Sequence, residues 1–185
     1  MTVRDLTGEP QIKALTEFLT SFATPHLDES HVLIGQLSEM SLPRDGNDFC
    51  VFTPILQQRV GTTFDEWSKD SDTIILSEYV NVTYQIDCYS SDIVHARERA
   101  QTYELVARSF YGVNHFKKYG IDCLFAERLR NLSSLLDDAL YVSRWSIELQ
   151  LGYTKRIEVP QDYFNKVDVG VFNVDVSFNP NRKGK

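Results

Sequence analysis

The chain lacks the cysteine spacing that metal ribbons and thiol redox sites need. Its cysteines are Cys50, Cys88 and Cys123, an odd number with no CxxC among them. Cys50 and Cys88 sit inside apolar runs, and all read as reduced, mostly buried thiols of a cytosolic protein. Long apolar runs are also missing. Nothing approaches the roughly 18 residues of a membrane span, and "MTVRDLTGEP" has no apolar core of signal-peptide length. The expectation is a protein made and kept in a cytoplasm, with no membrane partner. Positive charge is in deficit: 19 basic against 26 acidic residues give a net charge of -7. That balance argues against duplex DNA as a main partner, because phosphates reward a basic patch.

Motifs of catalysis are absent as well. There is no GxGxxG, no phosphate loop and no GxSxG elbow. The histidines are His26, His31, His95 and His115, and no two have HxH or HxxxH spacing. His26 and His31 flank a loop that carries Asp28 and Glu29, the best metal candidate on offer; loop histidines beside carboxylates are the plainer reading. His95 lies one turn from Glu98, as in a surface ion pair. The acidic doublets at 28–29, 65–66 and 137–138 read as solvated carboxylates at turns. No catalytic, cofactor-binding or metal residue is nominated, no cofactor is expected, and the reading is of a non-enzyme.

What is present is patterning. With 185 residues and 42% hydrophobic composition, the chain can build one domain with a real core. Residues 8–22 predict a helix, with Pro10 in the first turn and Ile12, Leu15, Phe18, Leu19 and Phe22 as its apolar stripe. Residues 31–36 predict a short strand and 37–48 a loop. A strand follows at 49–61, in which Pro54 marks an edge, a bulge or a break; 62–72 predict a polar connection. Residues 73–91 alternate strongly, with Val80, Val82, Tyr84, Ile86 and Cys88 opposite Asn81, Thr83, Gln85 and Asp87. Asp92 caps a helix lined by Ala96, Ala100, Tyr103, Ala107 and Phe110. Gly112 and Gly120 bracket a break, and 121–142 predict a mixed segment with some helix.

A long strand from about 141 to 158 carries Trp145, Ile147, Leu149, Leu151 and Tyr153 opposite Ser146, Glu148 and Gln150. Residues 161–164 predict a short turn or helix, 167–179 a last strand, and 179–185 a loose basic tail. The order predicts an α+β fold: a single domain over residues 1–178, with a mostly antiparallel β-sheet and helices packed on one face. The polar strand faces form an uncharged-to-acidic surface that meets water, lines a polar interface, or lines a bore. Tyrosines spread through the chain, without interleaved Lys and Arg, favour protein contacts over stacking on single-stranded nucleic acid.

The segment "HVLIGQLSEMSLPRDGNDFCVFTPILQQRVGT" resembles the phage neck or tail terminator family, through Pro43, Asp48, Phe49, Val51, Thr53, Pro54, Gly61 and Thr62. The family's "VQVDxY"-like strand and Ala- and Arg-rich helix correspond to "NVTYQIDCYSSDIVHARERAQTYELVARS", with Gln85, Ile86, Asp87, Cys88 and Tyr89. A late strand matches through Arg144, Leu151 and Tyr153, so the likeness spans about residues 30 to 178. The family's "QNR" after the first strand reads "QLSEM" here. The resemblance implies a virion protein forming a homo-oligomeric ring, commonly a hexamer. Such a ring caps the tail tube, ends tube polymerisation and meets the head connector; its partners are the tail tube protein, the connector or neck protein and, in a contractile tail, the sheath. DNA passes through the bore without specific binding, and assembly takes place in the host cytoplasm. The rival implications are another neck or tail part, such as a head-completion or tail-tube protein, or a small-molecule enzyme built on the His26–His31 loop.

Overall fold

The computed structural model describes residues 3–35, 48–68, 73–136 and 140–160. Residues 37–47 of the predicted loop at 37–48, the turn at 161–164, the strand at 167–179 and the tail at 179–185 lie outside the described residues, and Asp48 belongs to a strand.

The elements in chain order are β1 (Arg4–Asp5), α1 (Pro10–Ser21), β2 (Val32–Ile34), β3 (Asp48–Ser68), β4 (Thr73–Ser90), α2 (Ile93–Ala107), α3 (Phe110–Lys117), β5 (Ile121–Asn131), β6 (Ser134–Leu136) and β7 (Leu140–Pro160). The strands form one sheet-rich domain in the order β1-β7-β4-β3-β2, with β5 and β6 also pairing β7. Every pairing is antiparallel except β2 with β3.

Alternation in the sequence becomes a core because register aligns the apolar sets. Val80, Val82, Tyr84 and Ile86 on β4 stand opposite Tyr153, Leu151, Leu149 and Ile147 on β7. On the other side of β4, Phe52 stands opposite Ile86 and Cys50 opposite Cys88. Leu15, Phe18 and Leu19 of α1, Ala100, Tyr103 and Ala107 of α2, and Phe116 of α3 bury themselves in the same cluster. Burying side chains of that size contributes roughly 1.5–3 kcal/mol each.

Local chemistry sets the helix boundaries. Pro10 opens α1. Asp92 Oδ1 accepts a hydrogen bond from Val94 N at 2.8 Å and caps α2. The predicted second helix is in fact two. The chain turns at Arg108 and Ser109, whose hydroxyl donates to Val106 O at 2.7 Å. Gly112 therefore lies inside α3 and not at a break, and the new axis turns Phe110 out to solvent.

Two strand expectations are corrected. Residues 62–68 continue β3 instead of forming a polar connection, because 64–68 pair 73–77 of β4 in register. Residues 121–131 form β5 with no helical turn. Register shifts between Cys123 and Phe125 and between Glu127 and Arg130 break its period of two, so alternation fails while pairing persists.

Candidate assembly interface

The helices cover one face of the sheet. The opposite face carries Asn81, Thr83, Gln85, Asp87 and Tyr89 on β4 beside Gly152, Gln150, Glu148, Ser146 and Arg144 on β7, paired in that order. This face is not a simple wet surface. Asp87 is 5% exposed, Ser146 0% and Glu148 9%. Phe49 stacks on Tyr89 with ring centroids 4.6 Å apart, and Val51 joins them in a second small apolar cluster.

Arginines meet each carboxylate here. Arg144 Nη2 and Gln85 Nε2 both donate to Asp87 Oδ2, each at 2.9 Å. The Arg144 guanidinium carbon also lies 5.6 Å from the Tyr89 ring centroid. Burial alone lowers the Arg144 pKa, but the hydrogen bond and charge of Asp87 outweigh it and raise it. Glu148 stands directly across from Glu127, a pairing that repulsion disfavours. Arg128 resolves it, lying 3.0 Å from Glu148 and 3.6 Å from Glu127, and Arg130 also bonds Glu148. Arg128 has φ 64°, the left-handed region, at the β5 register shift; the bulge aims it across the sheet.

The sequence reading of an uncharged-to-acidic face is thus corrected to a nearly neutral one: Arg128, Arg130 and Arg144 offset Asp87, Glu127 and Glu148. Alternation along β7 places Arg144 on this face, but Arg128 and Arg130 reach it through a bulge and could not be read that way. Further along, Tyr79 crosses from β4 over Gly152 of β7 and donates to Asp122 of β5 at 2.7 Å. Burial, then the Asp122 hydrogen bond, push its pKa up to about 12.

Beyond this polar strip, among the described residues, β2 pairs β3 at Cys50, Val51 and Phe52 alone. Among the described residues, no strand pairs the outer side of β3 from Thr53 to Glu66. Register places Leu56, Val60 and Phe64 on the polar side of the sheet. All three are exposed, Phe64 to 66%, as are Ile55 and Trp67. Pro54 sits at a β3 register shift, as an edge proline should. A trough of about 290 Å³ runs between Leu56 and Phe125, floored by Thr83, Gln150 and Glu148. The opposite sheet edge is open too: β5 pairs only β7 among the described residues, and its Leu124 and Phe125 are exposed.

The expected enzyme features do not converge. His26 Nε2 lies 3.4 Å from Asp28 Oδ1, with both side chains more than two-thirds exposed. Among the described residues no group of three His, Cys, Asp or Glu is placed to hold a metal. His95 faces Asp48 and Asp92, at 3.8 and 3.9 Å, instead of pairing Glu98. His115 is buried, with Nε2 2.9 Å from Ala14 O. Tyr84, Tyr89, Tyr103 and Tyr153 are buried, so they serve packing rather than the protein contacts expected of them; Tyr111 is exposed.

A family model described as phage neck terminator protein matches residues 12–179. The chain belongs to the phage neck terminator family. No curated protein matches it. The family is one of structural proteins of the virion, working in the phage neck and tail through contacts with other head and tail proteins. In a neck protein the informative features are contact surfaces: an open β3 edge, exposed apolar residues along it, and a charge-balanced sheet face.

Proposed function

We propose that this neck protein assembles into a closed ring, six copies in the reading the family suggests, which seats on the end of the tail tube. The ring ends tube polymerisation and offers its far side to the head connector. Its partners are further copies of the chain, the tail tube protein and the connector or neck protein, with the sheath added in a contractile tail.

The observation that carries the reading is the outer edge of β3, paired beyond Phe52 by no other described strand, with its exposed Leu56, Val60 and Phe64. A ring needs a heterologous contact, one surface of a copy meeting a different surface of the next. Among the described residues, β3 and β5 are edge strands at opposite ends of one sheet and provide two such surfaces, and edge strands associate readily through their unpaired backbone groups. A bore that passes DNA must not grip phosphate, and a face whose arginines are matched by carboxylates suits that task.

The test is tube length. Mixed with polymerising tail tube protein, the chain yields shorter tubes as its concentration rises, each with added density at one end. An unchanged length distribution overturns the reading. Long cylinders built from this chain alone identify it as a tube protein instead.

A further inference from the structure

We propose that Cys50 and Cys88 form a redox site, a thiol pair that closes to a disulfide across β3 and β4 when the protein meets an oxidising thiol–disulfide environment. The two residues are register partners in the antiparallel β3–β4 ladder. Directly opposed residues in such a ladder have Cα atoms about 4.5 or 5.5 Å apart, depending on the pair type. Both separations fall within the roughly 4.4–6.8 Å that a disulfide spans. The sulfurs already lie 3.5 Å apart. Both side chains are fully buried, and both thiols are free. Closure therefore requires side-chain rotation and no shift of strand register.

The surroundings set how the site behaves. Tyr103 OH donates to Leu19 O at 2.6 Å and lies 3.8 Å from Cys50 Sγ, so the pair sits where α1, α2, β3 and β4 meet. Burial pushes the Cys88 thiol well above its usual pKa, and the Cys50 sulfur raises it further. Only the thiolate attacks a disulfide. The closed sheet thus keeps the pair slow to react, and exchange proceeds during folding or strand opening. Cys123, on β5, sits apart with its Sγ 3.4 Å from Ala107 O, and burial raises its pKa to about 11.

The reaction balances with a low-molecular-weight disulfide such as oxidised glutathione. One cysteine thiolate attacks the glutathione S–S bond, releasing one glutathione thiolate and forming a mixed disulfide. The second cysteine thiolate attacks the protein sulfur of that intermediate, and the second glutathione leaves. Two protein thiols lose two electrons and two protons; one glutathione disulfide gains them and becomes two thiols. A virion component made in a reducing cytosol meets oxidising conditions once particles are released. The bridge would then lock β3 to β4 at the base of the open edge.

The test is refolding of the full chain to equilibrium in a glutathione redox buffer, followed by acid quench, thiol counting in denaturant and peptide mapping. The Cys123→Ser variant isolates the pair and removes links through Cys123; refolding at low protein concentration keeps the remaining exchange within one chain. The expected result is loss of both thiols in that variant, a Cys50–Cys88 linked peptide, and an upward Tm shift of roughly 5–10 °C relative to the reduced form. The Cys88→Ser variant of the natural chain forms no internal link. Two free thiols in folded Cys123→Ser in a glutathione buffer oxidising enough to close ordinary structural disulfides overturn the proposal. So does a natural chain whose internal links run mainly to Cys123.

Discussion

Arg99 Nη2 donates to Asp48 Oδ2 at 2.8 Å, joining the middle of α2 to the first residue of β3. The Arg99 side chain is fully buried, and Nη2 also reaches Pro25 O at 3.3 Å. A helix packed on a sheet is thereby pinned to the strand whose other end is the open edge. Removing one partner of a buried pair typically costs about 3–5 kcal/mol, because the remaining charge is stranded. Asp48 is 24% exposed and keeps its Ser90 hydrogen bond, so Arg99→Met is expected to cost less than that, about 1–3 kcal/mol, in urea unfolding.

The same pair gives a pH dependence. Burial alone raises the Asp48 pKa, but hydrogen bonds from Ser90 and Arg99 outweigh it and hold the carboxyl below its usual value of 3.8. The unfolded state then binds more protons than the folded state through the acid range, so stability rises with pH there. Asp48 contributes fully above its unfolded pKa, and the contribution disappears as pH falls through the folded value. Asp48→Asn is expected to flatten the stability profile below about pH 4, read by urea midpoints across pH.

Gly112 and Gly152 differ in what an added methyl meets. At Gly112 a Cβ lies 2.8 Å from Ala107 Cα, a backbone atom that cannot move without shifting the α2–α3 corner. At Gly152 it meets the Tyr79 ring, 2.6 Å from Cζ, and the ring can swing away at the loss of its bond to Asp122. Gly112→Ala is predicted to cost more than Gly152→Ala, roughly 3 against 1 kcal/mol. Tyr79→Ala should abolish most of the Gly152→Ala penalty, and a thermal double-mutant cycle reads the coupling.

Arg128 sets strain against an ion pair. Its φ of 64° suits glycine better than any side chain, yet its guanidinium bridges Glu127 and Glu148. Arg128→Ala keeps the strain and loses the bridge; Arg128→Gly loses both. The alanine variant is expected to be less stable than the glycine variant by about 1 kcal/mol in chemical denaturation.

Much of this fold is visible in alternation and caps. The run from Thr73 to Ser90, the Asp92 cap and the long final described strand all announce themselves, because one face of each is buried and the register is enforced. The contact surface is less visible. Residues 62–67 are exposed on both faces, so no hydrophobic period marks them as strand. β5 hides behind two register shifts, and the two arginines that neutralise Glu148 come from positions no local pattern singles out. Arg99 carries no sequence signal of its own, and its role shows only once Asp48 is placed beside it.

Charge on the open edge separates assembly from folding. Val60 and Phe64 are exposed and pack little within the chain. Val60→Lys with Phe64→Lys is expected to leave Tm within a few degrees of the natural chain, since exposed substitutions change stability by about 0.5 kcal/mol or less. The same pair should block association, because lysines on a strand edge oppose pairing with another chain. Sedimentation velocity checks it.

The most direct measurement of the central claim is the native mass and shape of the protein, by light scattering after size exclusion and by negative-stain imaging with and without tail tubes. The account predicts annular particles, free or seated on tube ends, with a single mass several times the 21.3 kDa of the chain. A monomer that leaves tube ends bare contradicts it.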